Sequence, residues 1–297
     1  MSFYDLTLDQ ALDRLNQSPV KLLAGGTDYY PSLQETPPSS EVLDITRIES
    51  LQGIHVSDQE GWRIGAGVTW TQLIKEPLPP AFRALKLAAR EVGSVQIQNK
   101  GTLVGNLCNA SPAADGVPAL LALDAEVEIA RKKGTRTVPL SEFITGVRSI
   151  DLAENELVSA ILIPPVKPAT GLSLGASPQS HFVKLGARSY LVISIAMVAV
   201  QLSVNTGGII ECAAIAVGAC SPVAQRMDEL EALLVGQPCP ENFAGWVKPD
   251  ALKRLSAIDD VRGTAAYRLD VVARLIEQSL TETASLCVNH PSEVTSL

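Results

Sequence analysis

The sequence predicts an α+β fold, and three observations lead there. In the N-terminal half, stretches with apolar residues at helical spacing alternate with short apolar runs of strand character. Further on, "YLVISIAMVAVQLSV" and "IIECAAIAVGACS" are two long apolar runs joined by "NTGG", an Asn/Gly turn of the kind that closes a β-hairpin. Between these regions "PPVKPATGLSLGASPQS", Pro164 to Ser180, is rich in Pro, Gly and Ser and reads as a domain junction.

Taken in order, residues 6–17 place Leu8, Ala11, Leu12 and Leu15 at helical spacing behind Thr7 as N-cap. "VKLLAG" and "EVLDIT" read as short strands, which makes a β-α-β-like opening. "GWRIGAG" reads as a strand. "GAGVTW" lacks the third glycine of a dinucleotide fingerprint and is taken as the turn after it. "PAFRALKLAAREVG" has Pro near its start and Gly past its end, the asymmetry of a helix. "TLVGNLCNASPAAD", Thr102 to Asp115, reads as a loop of small residues. "GVPALLALDAEVEIAR" then supplies a helix and a strand, and "NELVSAILIPP" a strand stopped by prolines. Beyond the junction, the first long run fits a strand or a buried helix, because periodicity does not separate the two. "PVAQRMDELEALLVG" and "TAAYRLDVVARLIEQSL" read as amphipathic helices, the second with Tyr267, Leu269, Val272, Leu275, Ile276 and Leu280 along one face. There is no internal repeat.

Composition excludes several classes of function. The chain has 297 residues, enough for two domains or three small ones. Apolar residues at 46% and charged ones at 19% exclude a disordered chain. A net charge of -8 disfavours a nucleic-acid backbone or an anionic membrane as partner, and 4% aromatics disfavours base stacking. The N-terminus has no basic segment followed by an apolar core, and the run Tyr190 to Val204 is too short to span a bilayer. A soluble cytoplasmic protein is the expectation. The 5 cysteines form no CxxC pair, which disfavours a disulfide framework or a zinc ribbon. The 3 histidines read as surface or loop residues. HExxH, GxSxG and GxxxxGK[ST] signatures are absent.

What remains is a pair of glycine loops. In "LLAGGTDYY", Gly25 and Gly26 follow a strand and precede Thr27 and Asp28. Adjacent glycines permit positive φ and close approach to the backbone, and successive N–H groups pointing one way form a nest for an anion. For this loop alone, a tight turn needing no ligand is the plainer reading. The second loop offers Thr102, Asn106, Asn109 and Ser111 as short donors and acceptors. Its Gly105 bares the backbone, and Asp115 suits a sugar hydroxyl. Such a lining suits a pyrophosphate and a polyol that need only be held. Together the loops are able to clamp one extended dinucleotide.

Four segments carry a family resemblance: "AGGTD", "GTLVGNLCNASPAADGVPALLALDAEVEI", "FVKLGARSYLVISIAMVAV" and "DDVRGTAAYRLDVVARLI". In this order they resemble the FAD-binding medium subunit of the molybdenum hydroxylases, which include carbon monoxide, xanthine, quinoline and nicotinate dehydrogenases. The resemblance implies an α+β, two-lobed FAD-binding fold of the PCMH-like, molybdopterin dehydrogenase type. It puts lobe 1 at 1–57 and lobe 2 at 58–170. A C-terminal α+β domain with an antiparallel sheet and helices follows at 178–297. It implies that Lys21, Leu22, Leu23, Ala24, Gly25, Gly26, Thr27 and Asp28 wrap the pyrophosphate and adenosine side of FAD. Thr102, Gly105, Asn106, Asn109, Ser111 and Asp115 then hold the pyrophosphate, ribityl and ribose groups. Val158 is expected against the flavin ring or the adenine, and Lys184 near the isoalloxazine, where a cation stabilises developing negative charge. A solvated surface lysine is the plainer alternative for Lys184. The implied role is an oxidoreductase subunit that holds FAD but no metal. It passes electrons from [2Fe–2S] clusters in a small partner chain to an external acceptor, with a molybdenum cofactor in a large partner chain. A dimer of such heterotrimers is implied as well. One position departs from the family: Val104 stands where the first of two glycines is usual, and a β-branched residue disfavours positive φ. Two rival readings stay open, a self-contained FAD oxidoreductase and a scaffold subunit that has lost its flavin.

Overall fold

The structure, a computed structural model, describes residues 6–18, 20–33, 41–165, 178–189 and 191–289. Most of the expected junction, residues 166–177, lies outside the described residues. The chain forms two compact units. The first comprises Met1–Lys75, Val92–Ser111 and Asp124–Pro165, and the second Glu76–Glu91, Pro112–Leu123 and Val166–Leu297. Two insertions from the N-terminal half therefore belong with the C-terminal residues.

In the first unit, Thr7 and Gln10 close a capping box ahead of the helix Leu8–Gln17. Gln10 N–H donates to the Thr7 hydroxyl at 3.3 Å, and Thr7 N–H to the Gln10 side chain at 2.9 Å. The helix buries Ala11, Leu12 and Leu15, the expected face. Strand β1 (Lys21–Leu23) pairs in parallel with β2 (Val42–Asp44). Then come β3 (Ile54–Ser57), β4 (Gly61–Gly65), β5 (Glu126–Arg131), β6 (Gly134–Pro139), the small hairpin β7 (Ile144–Gly146) and β8 (Ser149–Ile150), and β9 (Leu157–Ile163). Five of these form an antiparallel sheet in the order β3-β4-β9-β5-β6. The central strand β9 is buried at every residue but Leu162, which is why "LVSAILI" is apolar everywhere except Ser159, whose buried hydroxyl donates to the Glu128 carboxylate at 2.6 Å.

In the second unit, β10 (Gln179–Leu185), β11 (Ala196–Val204), β12 (Ile210–Gly218) and β13 (Gln225–Arg226) form an antiparallel sheet in chain order. The first long apolar run is therefore a strand from Ala196 onward, and all nine of its residues are buried. Asn205 shapes the hairpin turn by accepting from the N–H groups of Gly207 and Ile209, both at 3.0 Å. The helices Arg83–Glu91 and Gly116–Ala122 pack on this sheet. The Ser180 hydroxyl on β10 accepts from Ala84 N–H at 2.8 Å. The expected "PVAQRMDELEALLVG" helix is shorter than its pattern, spanning only Asp228–Leu234. The residues before it are drawn into β13, and the Arg226 guanidinium there pairs with Glu231 and donates to the Leu121 carbonyl.

The helix Ala265–Asn289 lays Val272, Leu275, Ile276 and Leu280 into the core, as their spacing predicts. Tyr267, expected on that face, is instead 46% exposed. At about 100° per residue it lies opposite Ile276. The "RGTAAYR" segment explains itself structurally. Asp260 accepts from the N–H groups of Arg262 and Gly263 and from the Arg268 guanidinium. Arg268, 2% exposed, also donates to the carbonyls of Ile195 and Ala219. The Arg262 N–H, with the Arg268 and Arg262 guanidiniums, holds the Asp260 carboxyl down at about 2. A depressed value stabilises the fold above the ordinary carboxylate range and loses that contribution as pH falls toward about 2. Asp260→Asn is therefore expected to lower the melting temperature at neutral pH and to flatten its decline in acid. An unchanged acid profile would show that this anchor contributes nothing.

Candidate functional site

A cavity of about 570 Å³ opens in the first unit. Its wall contains Lys21, Leu22, Leu23, Ala24, Gly25, Gly26, Thr27 and Asp28 from the first glycine loop, Thr102, Gly105, Asn106 and Asn109 from the second, and Val158 on β9. Thirteen of the residues expected at a cofactor thus line one space. Ile45, Ala66, Trp70, Val92, Ile97 and Leu152 add apolar wall.

The first loop turns tightly between β1 and the helix Tyr29–Leu33. Gly26 takes φ +71°, and its carbonyl accepts from Tyr30 N–H at 3.1 Å. Gly25 is needed for another reason. A Cβ there would stand 2.0 Å from the Lys100 carbonyl oxygen, so the two loops meet backbone to backbone. Among the described residues, the N–H groups of Gly25, Gly26 and Thr27 meet no protein acceptor. They stand as donors on the cavity wall.

The second loop is not a loop throughout. Leu103–Cys108 is a short helix capped by Thr102, whose hydroxyl accepts from Gly105 N–H at 2.9 Å. The weak helix propensity of Gly105 and Asn106 is overridden here by that cap and by burial of Leu103, Val104 and Leu107. Val104 lies within the helix, where a β-branched residue needs no positive φ. The departure from the family pattern thus costs the backbone nothing. Asn106 Oδ1 is buried with no protein partner. A buried acceptor left unmet costs about 1–3 kcal/mol, so it fits a donor supplied by a bound molecule. Asn109 donates from Nδ2 to Asp28 Oδ1 at 3.0 Å, tying the second loop to the first. Cys108 also faces the cavity, and burial pushes its thiol up to about 12. It is a neutral packing group there.

Ser111, Asp115 and Lys184 do not line this cavity. Ser111 is half-buried in the first unit. Asp115 and Lys184 form a buried ion pair of the second unit, Nζ to Oδ2 3.0 Å. Ser194 donates to the other carboxylate oxygen at 3.0 Å, and Lys184 also donates to the Glu91 carbonyl at 3.3 Å. Lys184 is therefore no solvated surface lysine; its side chain is 5% exposed. Burial pushes the Asp115 carboxyl above its ordinary range, and Lys184 draws it back. Sequence reasoning also missed Arg148, in the β7–β8 turn, which lines the cavity and carried no motif.

The donor set is neutral or cationic except for Asp28 and lies beside an apolar wall. It fits a long ligand with an anionic middle and a flat apolar end. FAD has that chemistry. Among the described residues, no group of three or more His, Cys, Asp or Glu is placed to hold a metal ion. No helix among them is long and apolar enough to cross a membrane.

Residues 3–166 match the family described as the FAD-binding domain in molybdopterin dehydrogenase, and residues 181–283 the CO dehydrogenase flavoprotein C-terminal domain. The chain is 29% identical to a putative xanthine dehydrogenase FAD-binding subunit of Escherichia coli (strain K12), covering 93% of each. It is 33% identical to the nicotinate dehydrogenase FAD-subunit of Eubacterium barkeri, covering 80% of this chain and 79% of that one. Among solved structures, a carbon monoxide dehydrogenase from Hydrogenophaga pseudoflava superposes with a TM-score of 0.81 at 27% identity, covering 95% of each chain. Fold, cavity chemistry and these likenesses converge: the chain belongs to the family of FAD-binding subunits of the molybdopterin dehydrogenases and is an oxidoreductase subunit with an α+β fold.

Proposed function

We propose that this chain carries FAD between two electron-transfer partners. It receives electrons from [2Fe–2S] clusters of a small subunit and hands them to an external acceptor: NAD, oxygen, a quinone or a carrier protein. Substrate oxidation takes place at a molybdenum cofactor in a large third subunit, and two such heterotrimers pair in the cytoplasm. The observation that carries the flavin part is the cavity itself, with its orphaned Asn106 acceptor and the open N–H groups of Gly25, Gly26 and Thr27. The multi-subunit part is supported by relatives named as subunits or medium chains of dehydrogenases, such as the carbon monoxide dehydrogenase medium chain of Hydrogenophaga pseudoflava.

In this reading the first loop, Lys21 to Asp28, wraps the pyrophosphate and adenosine side. Successive N–H groups meet the anion without bringing formal charge into the wall. Thr102 and Gly105, Asn106 and Asn109 hold the pyrophosphate and ribityl chain, and Ser111 adds a contact to the sugar portion. Val158 presents an apolar face to a ring. Bound flavin supplies chemistry that couples one-electron to two-electron partners. The chain's own contribution is to hold and orient it and to keep the apolar wall dry.

The test is to express the chain alone and with its partner chains. The isolated chain is expected to carry one extractable FAD without iron or molybdenum, and to lack substrate-to-acceptor turnover until the partners are added. Turnover by the chain alone would make it a self-contained oxidoreductase. A folded chain that takes up no FAD would make it a scaffold.

A further inference from the structure

Arg148 sits at the tip of the β7–β8 hairpin and lines the cavity. Nη1 donates to the backbone carbonyl of Asn109 at 3.0 Å and to the Asn109 side-chain oxygen. Asn109 in turn donates to Asp28. Cation, amide and carboxylate thus form one line across the three segments around the polar end of the cavity. Among the described residues, Nε and Nη2 of Arg148 meet no protein acceptor.

The backbone beneath this side chain is strained. Arg148 holds φ +57°, in the left-handed region where glycine or asparagine is the easy choice. Its N–H donates at 2.9 Å to the carbonyl of Ala110, which itself holds φ +46°. A turn residue chosen only for the hairpin would be glycine. An arginine kept at such a position on a cavity wall points to work done by the side chain. Asp28, on the same wall, opposes an anionic ligand, and Lys21, the other cation there, lies over the Tyr29 ring at 5.8 Å.

We propose that Arg148 is a diphosphate-recognition residue. Its unused N–H groups bind the anionic middle of the dinucleotide, while Nη1 holds Asn109 ready beside it. The inference rests on the FAD reading above, and it predicts which part of FAD this side chain serves. Planar guanidinium donors suit phosphate oxygens through paired charge-assisted bonds.

The experiment titrates the FAD-free full chain with FAD, ADP and riboflavin, comparing wild type with Arg148→Gly and Arg148→Met. Arg148→Gly removes the cation while suiting the left-handed turn, so the ligand-free melting temperature is expected at or above wild type. FAD and ADP are expected to bind roughly 10- to 150-fold more weakly in both variants, the loss of one hydrogen bond to a charged group. Riboflavin, which has no phosphate, is expected to bind as it does to wild type. Should Arg148→Met fail to fold, Arg148→Gly alone carries the comparison. Unchanged ADP affinity in folded Arg148→Gly overturns the proposal. So does an equal loss of riboflavin and ADP, or a fall in melting temperature that accounts for the loss. Wild-type chain that binds none of the three ligands instead defeats the FAD reading on which the proposal stands.

Discussion

Gly25→Ala is expected to destabilise the first unit by about 3 kcal/mol, the upper range for forcing extra volume into a packed site. The new Cβ would lie 2.0 Å from the Lys100 carbonyl oxygen and 2.7 Å from Gly101 Cα. Both are backbone atoms, so neither can rotate away. Relief requires the two glycine loops to separate, and the cavity they line would deform with them. Gly26→Ala presents a different case. Its Cβ would crowd the Tyr30 ring at 2.6 Å, with Leu23 Cδ1 in ordinary contact at 3.6 Å, and the Tyr30 side chain is free to swing because the residue is 56% exposed. What remains is the left-handed backbone, at a cost of roughly 1–2 kcal/mol. Urea denaturation of the FAD-free chain ranks the two. Equal stability of Gly25→Ala and wild type would mean that the loops do not meet as described. Because Gly26→Ala stays folded, a change in its FAD affinity reports on the turn itself.

The contrast between these neighbours shows what sequence could and could not reveal. "AGGTD" announces a backbone needing freedom, and both glycines line the cavity. Only the structure separates a glycine required by a turn from one required by a neighbouring backbone distant in sequence. The same holds on a larger scale. Helix and strand positions follow from local spacing, and most of them stand where the periodicity puts them. The capping box at Thr7 and the hairpin around Asn205 are local chemistry, legible residue by residue. The helix Leu103–Cys108 was hidden because Gly105 and Asn106 favour helix weakly and its stability comes from the Thr102 cap and from burial of Leu103, Val104 and Leu107. Arg148 was hidden because its partners, Asn109 and Ala110, are far from it in the chain. Asp115 looked like part of one polar loop. Yet the chain passes from the first unit to the second between Ser111 and Pro112, so contiguity in sequence did not mean membership of one compact unit.

Lys184→Met is expected to destabilise the second unit by about 3–5 kcal/mol at neutral pH, because removing one partner leaves the other charge buried and unpaired. The Asp115 carboxylate would keep the Ser194 hydroxyl as donor but lose Lys184, its only ion-pair partner among the described residues. The pH dependence fixes the cause. Burial already raises the Asp115 carboxyl, and the Glu91 charge adds to that, while Lys184 opposes both. Without Lys184 the carboxyl rises further. A group whose folded value is raised contributes stability that is complete below its unfolded value of 3.8 and is lost as pH rises through the folded value. The variant should therefore come nearest to wild type in mild acid and fall furthest below it at neutral pH. Adding Asp115→Asn should restore much of the loss, because a neutral amide needs no counter-charge and its oxygen can still accept from Ser194. The measurement is urea denaturation of both variants across that pH range. A deficit in Lys184→Met that does not change with pH would mean that lost packing of the lysine stem, rather than the stranded carboxylate, accounts for the effect.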